Sequence, residues 1–125
     1  MLQENCYVVS DDTKECVIID CGAFYPEERK AITEYIKKEG LKPQHLLVTH
    51  GHLDHNFGNN TIHEEFGLKP EVSQGDEKLM KNLKNQAQTF YQMELDYDFP
   101  AIGHFFEEDE IIRFGIVGVA ATLLQ

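Results

Sequence analysis

The most constraining feature of this sequence is a six-residue run, residues 50–55, that reads HGHLDH and holds three histidines and one aspartate. An apolar segment at residues 46–48 comes directly before it and predicts a buried strand, bounded upstream by Pro43. A helical pattern follows and stops at Gly67. The run is therefore predicted on a strand-to-helix loop at the carboxyl end of a strand, where α/β sheets commonly bind ligands.

The residue types of this run are those that bind zinc. Zinc takes neutral imidazole nitrogen and carboxylate oxygen, and a catalytic zinc keeps one position open for water. Alternate residues of an extended loop point the same way, so His50 and His52 can share one metal. Asp54 and His55 fall where the chain turns into the helix, so they can face a second metal. A hydroxide can bridge two metals that lie about 3.5–4 Å apart, and such a pair can bind both the attacking and the leaving oxygen.

A solvated, histidine-rich loop is the alternative interpretation, because three histidines could cluster by chance in a chain of 125 residues. The fixed spacing directly after an apolar strand favours the metal site.

The run and the segments around it resemble the metallo-β-lactamase superfamily, in its glyoxalase II-like hydrolase branch. Residues 50–55 are similar to the family's H-x-H-x-D-H signature. The other similar segments are the early strand, the strand and turn after it, the first helix, and an acidic turn with its strand: residues 3–9, 16–22, 24–40 and 107–115. The resemblance implies an α/β (α+β) fold, an αββα sandwich, with this chain forming its amino-terminal portion.

The resemblance also implies ligands that this sequence does not contain. The family supplies a third histidine from a P-G-H-type loop, and a bridging aspartate and a last histidine from further downstream. His104 is the only histidine after His63, and its context, IGHFF, does not match that loop. Residues 1–125 are therefore expected to be one domain, the amino-terminal half of such an enzyme, with an incomplete metal site.

Composition limits the class of protein and its partners. The chain is 42% apolar, which suits one domain, and no run approaches the roughly 18 apolar residues of a membrane span. No signal peptide opens the chain, so the cytoplasm is the expected compartment. The cysteines Cys6, Cys16 and Cys21 are odd in number and lie in strand-like segments, which predicts reduced, buried thiols.

The charge of the chain argues against a nucleic-acid partner. Its 22 acidic and 11 basic residues give a net charge of -11, which repels phosphate backbones. The same charge says little about a small-molecule substrate, because two divalent cations would dominate the local field.

Local patterns predict the elements around residues 50–55, which we call the metal loop after their predicted ligands. Residues 5–10 and 15–19 predict a hairpin, and Pro26 opens a helix that stops at Gly40. Residues 70–73 predict a short strand, and Asp76 is the predicted cap of a helix that runs to about Leu95. Four residues are predicted on the apolar face of that helix: Leu79, Leu83, Phe90 and Met93.

The carboxyl end predicts two strands, at residues 110–114 and 116–124. The second lacks alternation, which predicts a strand buried on both faces. Before these strands, the aromatic residues Phe90, Tyr91, Tyr97 and Phe99 could line a substrate cleft, although core packing and loop anchoring are the commoner roles.

Asp20, directly after the second strand, has two interpretations. A turn aspartate commonly bonds its own backbone. The resemblance favours a carboxylate behind the metal loop that orients a metal ligand. His45 and His63 are expected to be surface or internally bonded histidines.

Three functions compete. The first is a hydrolase with two Zn2+ ions, or iron or manganese in their place, held by His50 and His52 and by Asp54 and His55. Asp54 is also its candidate catalytic residue, and a thioester or ester of a small molecule, as in hydroxyacylglutathione hydrolase, is the substrate that the resemblance implies. The second is a diiron protein that handles oxygen or NO, although that branch typically has a carboxylate where His52 stands. The third is an incomplete, non-catalytic metal-binding or interaction fragment.

The four-layer architecture of the family implies a partner. Without the second half, the inner face of the first sheet, with Val8, Val17, Ile19 and Leu47, is expected to lie open. We therefore expect a homo-oligomer, or completion by the missing carboxyl-terminal half.

Overall fold

The computed structural model describes residues 6–107 and 109–120, which contain seven strands and four helices. In chain order they are β1 (Tyr7–Ser10), β2 (Glu15–Ile19), α1 (Pro26–Lys38), β3 (Lys42–Leu47), α2 (Asn59–Phe66), β4 (Pro70–Ser73), α3 (Glu77–Lys81), α4 (Leu83–Tyr91), β5 (His104–Phe106), β6 (Ile111–Phe114) and β7 (Val117–Ala120). Short 3-10 turns at Leu53–His55 and Gln74–Asp76 precede α2 and α3. In the described part of the chain, no helix is both long and apolar enough to cross a membrane.

Five strands form one sheet in the order β1-β2-β3-β4-β5. β1 and β2 form the predicted antiparallel hairpin, with Tyr7 opposite Ile19, and β2 to β5 run parallel. Parallel strands end at the same edge, so Asp20 after β2 and the loop after β3 lie side by side. The Asp20 amide donates to the Leu47 carbonyl at 2.9 Å, which continues the β2–β3 pairing to the start of that loop.

α1 and α2 cover one face of this sheet. α1 begins at Pro26, as predicted, and the Glu28 carboxylate accepts the free amide of Tyr25 at 3.0 Å. Its buried Ile36 packs with Ile62 of α2 against the sheet, whose side chains there are fully buried. Apolar burial of this kind holds the metal loop between two fixed elements, β3 and α2.

The hairpin β6–β7 covers the other face, which corrects the expectation of an open surface. Val17 and Leu47 are fully buried there beneath Ile112 and Phe114 of β6. Val8 lies on the opposite face, because its register partner is Ile18, which faces the helices.

The helix predicted from Asp76 to about Leu95 is interrupted. α3 ends at Lys81, and α4 ends at Tyr91, where Gln92 takes a left-handed backbone with φ of 50°. Asp76 is the N-cap residue of α3, as predicted, but its side chain makes no capping hydrogen bond and instead accepts one from the Ser73 hydroxyl.

The predicted apolar face of this helix is wrong at Phe90, and Met93 lies beyond the end of α4. Phe90 is 69% exposed, while Leu83 and Ala87 pack with Leu53 and Phe57 of the metal loop. The buried side of α4 therefore packs against the metal loop. The helical pattern of the sequence alone does not predict this contact.

The carboxyl-terminal strands also differ from prediction. Within the described residues, β7 runs from Val117 to Ala120, and residues 121–124 of the predicted strand lie outside them. Ile116 and Val117 are exposed, so this strand is not buried on both faces. In the part of the chain that the structure describes, β7 pairs with β6, and β6 presents alternate side chains to the main sheet.

Pro43 lies inside β3 rather than before it. A register irregularity in β2 falls between Cys16 and Val17, directly beside this proline. Proline has no N–H to donate to a ladder, so an irregularity at this point is physically expected.

Candidate metal centre

The HGHLDH run occupies the loop between β3 and α2, as predicted. The Val48 amide donates to the Glu71 carbonyl at 2.9 Å, so the chain leaves the sheet only after Val48. Two buried side chains, Leu53 and Phe57, then anchor the loop against α4. The histidines therefore sit on a loop that is held at both ends and in the middle.

Two asparagines hold the loop backbone from inside. Asn56 is fully buried, and its Nδ2 donates to the carbonyl of His52 at 2.7 Å and to that of His50 at 3.2 Å. Asn59 donates in turn to Asn56 Oδ1 at 2.7 Å. These bonds satisfy buried carbonyls and restrict the backbone on which two histidines are mounted.

Gln86 of α4 holds the loop from the other side. Its Oε1 accepts the Leu53 amide at 2.8 Å, and its Nε2 donates to the Gly51 carbonyl at 3.0 Å. A Cβ at Gly51 would lie 2.7 Å from the Cβ of Leu79, so only glycine fits this close approach to α3. The sequence between the first two histidines is therefore set by packing as well as by chemistry.

The three imidazoles of the run are neighbours. The ring centroids of His50 and His52 lie 6.0 Å apart, and those of His50 and His55 lie 5.3 Å apart. Two imidazoles on one tetrahedral zinc have centroids about 5 Å apart, because each Zn–N bond is about 2 Å. The His50–His55 spacing is close to this value, whereas the His50 and His52 rings must approach one another by about 1 Å to share a metal.

Asp20 supports these rings from behind. The residue is 7% exposed and has a left-handed backbone, with φ of 57°. Its Oδ1 accepts the Thr49 amide at 2.7 Å, and its Oδ2 accepts the Thr49 hydroxyl at 2.5 Å and His55 Nδ1 at 3.1 Å. The carboxylate therefore bonds across to the metal loop, and a strained backbone at such a position indicates a functional constraint.

These hydrogen bonds decide which ring nitrogens are available. The Thr49 hydroxyl gives its only proton to Asp20, so its oxygen accepts from His50 Nδ1, 3.0 Å away. His55 Nδ1 also donates to Asp20. In its neutral form each of these two rings carries its proton on Nδ1, which makes Nε2 the nitrogen that can bind a metal.

The donors fit a divalent metal in chemistry, and the His50–His55 pair also fits in spacing. Within residues 6–107 and 109–120, however, no three His, Cys, Asp or Glu side chains are assembled closely enough to hold an ion. A full coordination sphere therefore needs either a movement of these side chains or further donors.

Two grooves flank the loop. His52, Asp54 and His55 line one of about 480 Å³, together with Phe90 and Tyr91. His50 and Thr49 line the other, of about 450 Å³, with residues from the ends of β4 and β5. Two of the aromatic residues considered in the sequence thus lie beside the metal loop.

The histidines outside the run are engaged elsewhere, as expected for His45 and His63. His45 bonds to Glu71 at 2.6 Å, and His63 to the Leu68 carbonyl at 3.1 Å. His104 bonds to Glu110 at 2.8 Å.

Thr49, Asn56 and Gln86 were missed by the sequence analysis. Polar residues directly beside the run were a usable signal for the first two. Gln86 carries no local signal, because its partners are backbone groups 33 and 35 residues away.

Comparison with known sequences identifies the same superfamily that residues 50–55 resemble. The profile of the family described as Metallo-beta-lactamase superfamily matches residues 1–124. Hydroxyacylglutathione hydrolase GloC of Haemophilus influenzae is 34% identical over 112 residues, covering 89% of this chain and 50% of that protein. Probable metallo-hydrolase YqgX of Bacillus subtilis is 34% identical over 76 residues, covering 60% and 33%. The chain thus spans half the length, or less, of these curated relatives.

Solved structures agree in fold. BLEG-1 B3 metallo-beta-lactamase superposes with a TM-score of 0.78 at 23% identity, over 95% of this chain and 55% of that one. TTHA1623, solved in a di-iron-bound form, superposes with a TM-score of 0.70 at 26% identity, over 90% and 52%.

Proposed function

Because the chain belongs to the metallo-beta-lactamase superfamily, we propose that it supplies the metal-binding loop of a hydrolase that cleaves small-molecule thioesters with two zinc ions. The observation that carries this proposal is the convergence of His50 and His55 on one carboxylate, Asp20, directly or through Thr49. The substrate class is supported by relatives that are named hydroxyacylglutathione hydrolases.

In this proposal, His50 and His52 hold one metal, and Asp54 and His55 hold the other. When bound, the metals would supply a hydroxide near neutral pH and polarise the scissile carbonyl. Asp54, the candidate catalytic residue, would also accept a hydrogen bond from the nucleophilic water and so orient it.

Other groups of the chain hold these ligands and receive the substrate. Asp20 and Thr49 keep the Nδ1 protons of two rings in place, so that each Nε2 remains an acceptor. Phe90 and Tyr91 give the groove beside His52 an apolar wall, which suits the hydrocarbon part of an acyl group.

The wider setting follows from composition. The partner we propose is a small molecule, since the net charge of -11 disfavours nucleic acid. The cytoplasm is the compartment we propose, because Cys6, Cys16 and Cys21 are all free thiols.

A second candidate function is an incomplete, non-catalytic metal-binding module. The observation that favours it is that three metal-binding side chains do not come together within the described residues. Iron in place of zinc is the alternative metal, as in the di-iron-bound form of TTHA1623.

Hydrolysis of a hydroxyacylglutathione by zinc-loaded protein tests the proposal. We expect little or no turnover by the 125-residue chain, and clear turnover by a version extended at its carboxyl end. His52→Ala should reduce the extended protein to background, while the matched control His63→Ala retains activity. Full activity in His52→Ala would contradict the proposal. The absence of thioester or ester hydrolysis by the extended protein would contradict it as well.

A further inference from the structure

The β6–β7 hairpin lies over the five-stranded sheet without joining it. In the part of the chain that the structure describes, no backbone ladder connects the two sheets. The contact between them is a cluster of five buried apolar side chains: Val17, Leu47, Phe106, Ile112 and Phe114. Side chains of the main sheet and of the β1–β2 turn add hydrogen bonds to the hairpin backbone, and each of these side chains is titratable.

The turn of the hairpin is held by two carboxylates. Glu15 Oε1 accepts the Gly115 amide at 2.7 Å, and Asp11 Oδ2 accepts the Ile116 amide at 2.8 Å. Hydrogen bonds with Thr13 and with the Ile116 amide lower the pKa of Asp11, so this carboxylate stays charged at neutral and higher pH. The turn therefore remains attached when the pH rises from about 6 to about 9.

The middle of the hairpin is held by one imidazole. His45 Nε2 on β3 lies 3.0 Å from the Arg113 carbonyl on β6, and Nδ1 of the same ring lies 2.6 Å from Glu71 Oε2 on β4. A carbonyl and an ionised carboxylate can only accept, so both bonds exist only while both ring nitrogens carry a proton. His45 therefore bonds to the hairpin and to β4 at the same time only as an imidazolium.

The surroundings of His45 favour this imidazolium at neutral pH. Glu71 lies beside it on β4, the Glu110 charge acts on it from the residue before β6, and Val17 is its apolar neighbour on β2. His104 on β5 is bonded to Glu110 at 2.8 Å. The hydrogen bond with Glu71 is the largest of the causes that raise the pKa of His45. The ring therefore loses its proton only above the usual value of about 6.5.

Loss of this proton breaks one particular bond. A neutral imidazole has a single N–H, and the short contact with the Glu71 carboxylate retains it on Nδ1, because a charged acceptor makes the stronger hydrogen bond. His45 Nε2 then carries a lone pair that faces the Arg113 carbonyl, which is also an acceptor. The contact that held β6 becomes repulsive, while the contact with β4 persists.

We propose that His45 is a pH-dependent latch: its protonated ring holds the β6–β7 hairpin on the sheet, and loss of the proton releases β6 and uncovers Val17 and Leu47. The turn stays attached, so the hairpin pivots about that end. Phe106 lies both under the hairpin and in the wall of the groove beside His50. Opening of the hairpin therefore also changes that groove.

Methyl NMR of the two faces of the sheet tests the latch. The measurement uses the metal-free full chain, so its result is independent of the proposed metal function. Leu47 packs under the hairpin, whereas its neighbour Leu46 packs with α1 and α2 on the other face. Saturation-transfer spectra give the population of an open state. We expect this population at Leu47 to rise about tenfold or more between about pH 6 and about pH 9, because a hydrogen bond from a charged donor is lost, and Leu46 to stay unchanged.

Nitrogen NMR of the imidazole follows the same event at its source. In its neutral form, His45 should carry its proton on Nδ1. The midpoint of its titration should coincide with the midpoint of the change at Leu47. A neutral ring with its proton on Nε2 would overturn the proposal, because that ring still donates to the Arg113 carbonyl.

His45→Gln removes the titrating group, so the open population at Leu47 should be the same at both pH values. The matched control is His63→Gln, at a histidine of α2 that bonds to the Leu68 carbonyl, and it should behave like the unmodified chain. Three results would overturn the proposal. They are an open population at Leu47 that does not change with pH, an equal change at Leu46, which would mean unfolding of the whole chain, and a pH dependence that persists in His45→Gln.

Discussion

A buried carboxylate and a strained backbone occur together at Asp20. The left-handed conformation of this residue, with φ of 57°, directs the carboxylate at Thr49 and His55 instead of at its own turn. Such a conformation costs free energy that the surrounding bonds must offset. Its effect is to fix the orientation of two imidazoles with one side chain.

Asp20→Asn tests this role at the scale of one residue. Asparagine has the same shape but no charge, and its amide nitrogen cannot accept from His55 or Thr49. We predict an affinity for Zn2+ about 10- to 100-fold lower, by calorimetric titration, because such outer partners hold metal ligands in place.

The control for this prediction is Asp12→Asn, at an exposed position of the β1–β2 turn. It should leave the zinc affinity unchanged. Equal affinities of Asp20→Asn and the unmodified chain, both folded, would contradict the role assigned to Asp20.

Some residues of the candidate site could be predicted from the sequence, and others could not. His50, His52, Asp54 and His55 form a local pattern, and their placement on a strand-to-helix loop could be predicted. Their ligand roles stay a prediction. The groups that hold the loop could not be predicted, because side chains such as Gln86 act on backbone groups far away in sequence.

Gln86 joins two elements, because its side chain on α4 is hydrogen-bonded to the backbone of the metal loop. Replacing it with leucine keeps its approximate volume but leaves the Leu53 amide and the Gly51 carbonyl buried without partners. Each unpaired group costs about 1–3 kcal/mol. We predict that Gln86→Leu lowers the free energy of unfolding by about 2 kcal/mol or more, measured by urea denaturation.

Gln88→Leu, at an exposed position of the same helix, is the matched control and should change stability by less than about 0.5 kcal/mol. Equal stabilities of the two variants would show that Gln86 does not hold the loop.

His45 joins three elements through both of its ring nitrogens. Nδ1 lies 2.6 Å from Glu71 Oε2 on β4, and Nε2 lies 3.0 Å from the Arg113 carbonyl on β6. Both partners accept, so both nitrogens donate and the ring is an imidazolium. The hydrogen bond with Glu71 is the largest cause that raises the pKa of His45, and the Glu110 charge also raises it.

This raised pKa predicts a pH dependence of stability. The contribution of His45 is complete below its unfolded pKa of about 6.5, and it is lost as the pH rises through the higher folded pKa. His45→Gln can donate to only one of the two partners. The difference in Tm between the variant and the unmodified chain should therefore be larger at about pH 6 than at about pH 9. A difference that is the same at both values would contradict the imidazolium.

Among the elements, locally encoded ones could be predicted and those set by packing could not. The β1–β2 hairpin, α1 and α2 follow from turn residues, a proline at the helix start and glycine stops, and they are confirmed. The interruption at Asn82 and the exposure of Phe90 result from the fit of α4 to the metal loop. Tertiary contacts of this kind override helical periodicity.

At the scale of the whole molecule, the predicted family and α/β fold are confirmed by the match over residues 1–124 and by the solved structures. The inner face of the sheet is closed at Val17 and Leu47, yet apolar side chains remain exposed around it. They lie on β1, on β6 and on the β6–β7 turn and strand: Tyr7, Val9, Ile111, Ile116 and Val117.

This exposed apolar set predicts self-association of the isolated chain, because large apolar patches are commonly interfaces. Light scattering at increasing concentration should give a mass above the 14.4 kDa of one chain. Ile116→Glu, at a residue that is 82% exposed, should shift the mass toward that of one chain. A mass of one chain at every concentration would contradict this prediction.

The central claim is that the HGHLDH run binds a divalent metal, and zinc bound per chain tests it most directly. Mass spectrometry of dialysed protein should find zinc in partial occupancy that a chelator removes, because four ligand side chains for two metals leave each undersupplied. The account predicts background zinc in His50→Ala combined with His52→Ala, and unchanged zinc in the control His63→Ala. Unchanged zinc in the double variant would contradict it.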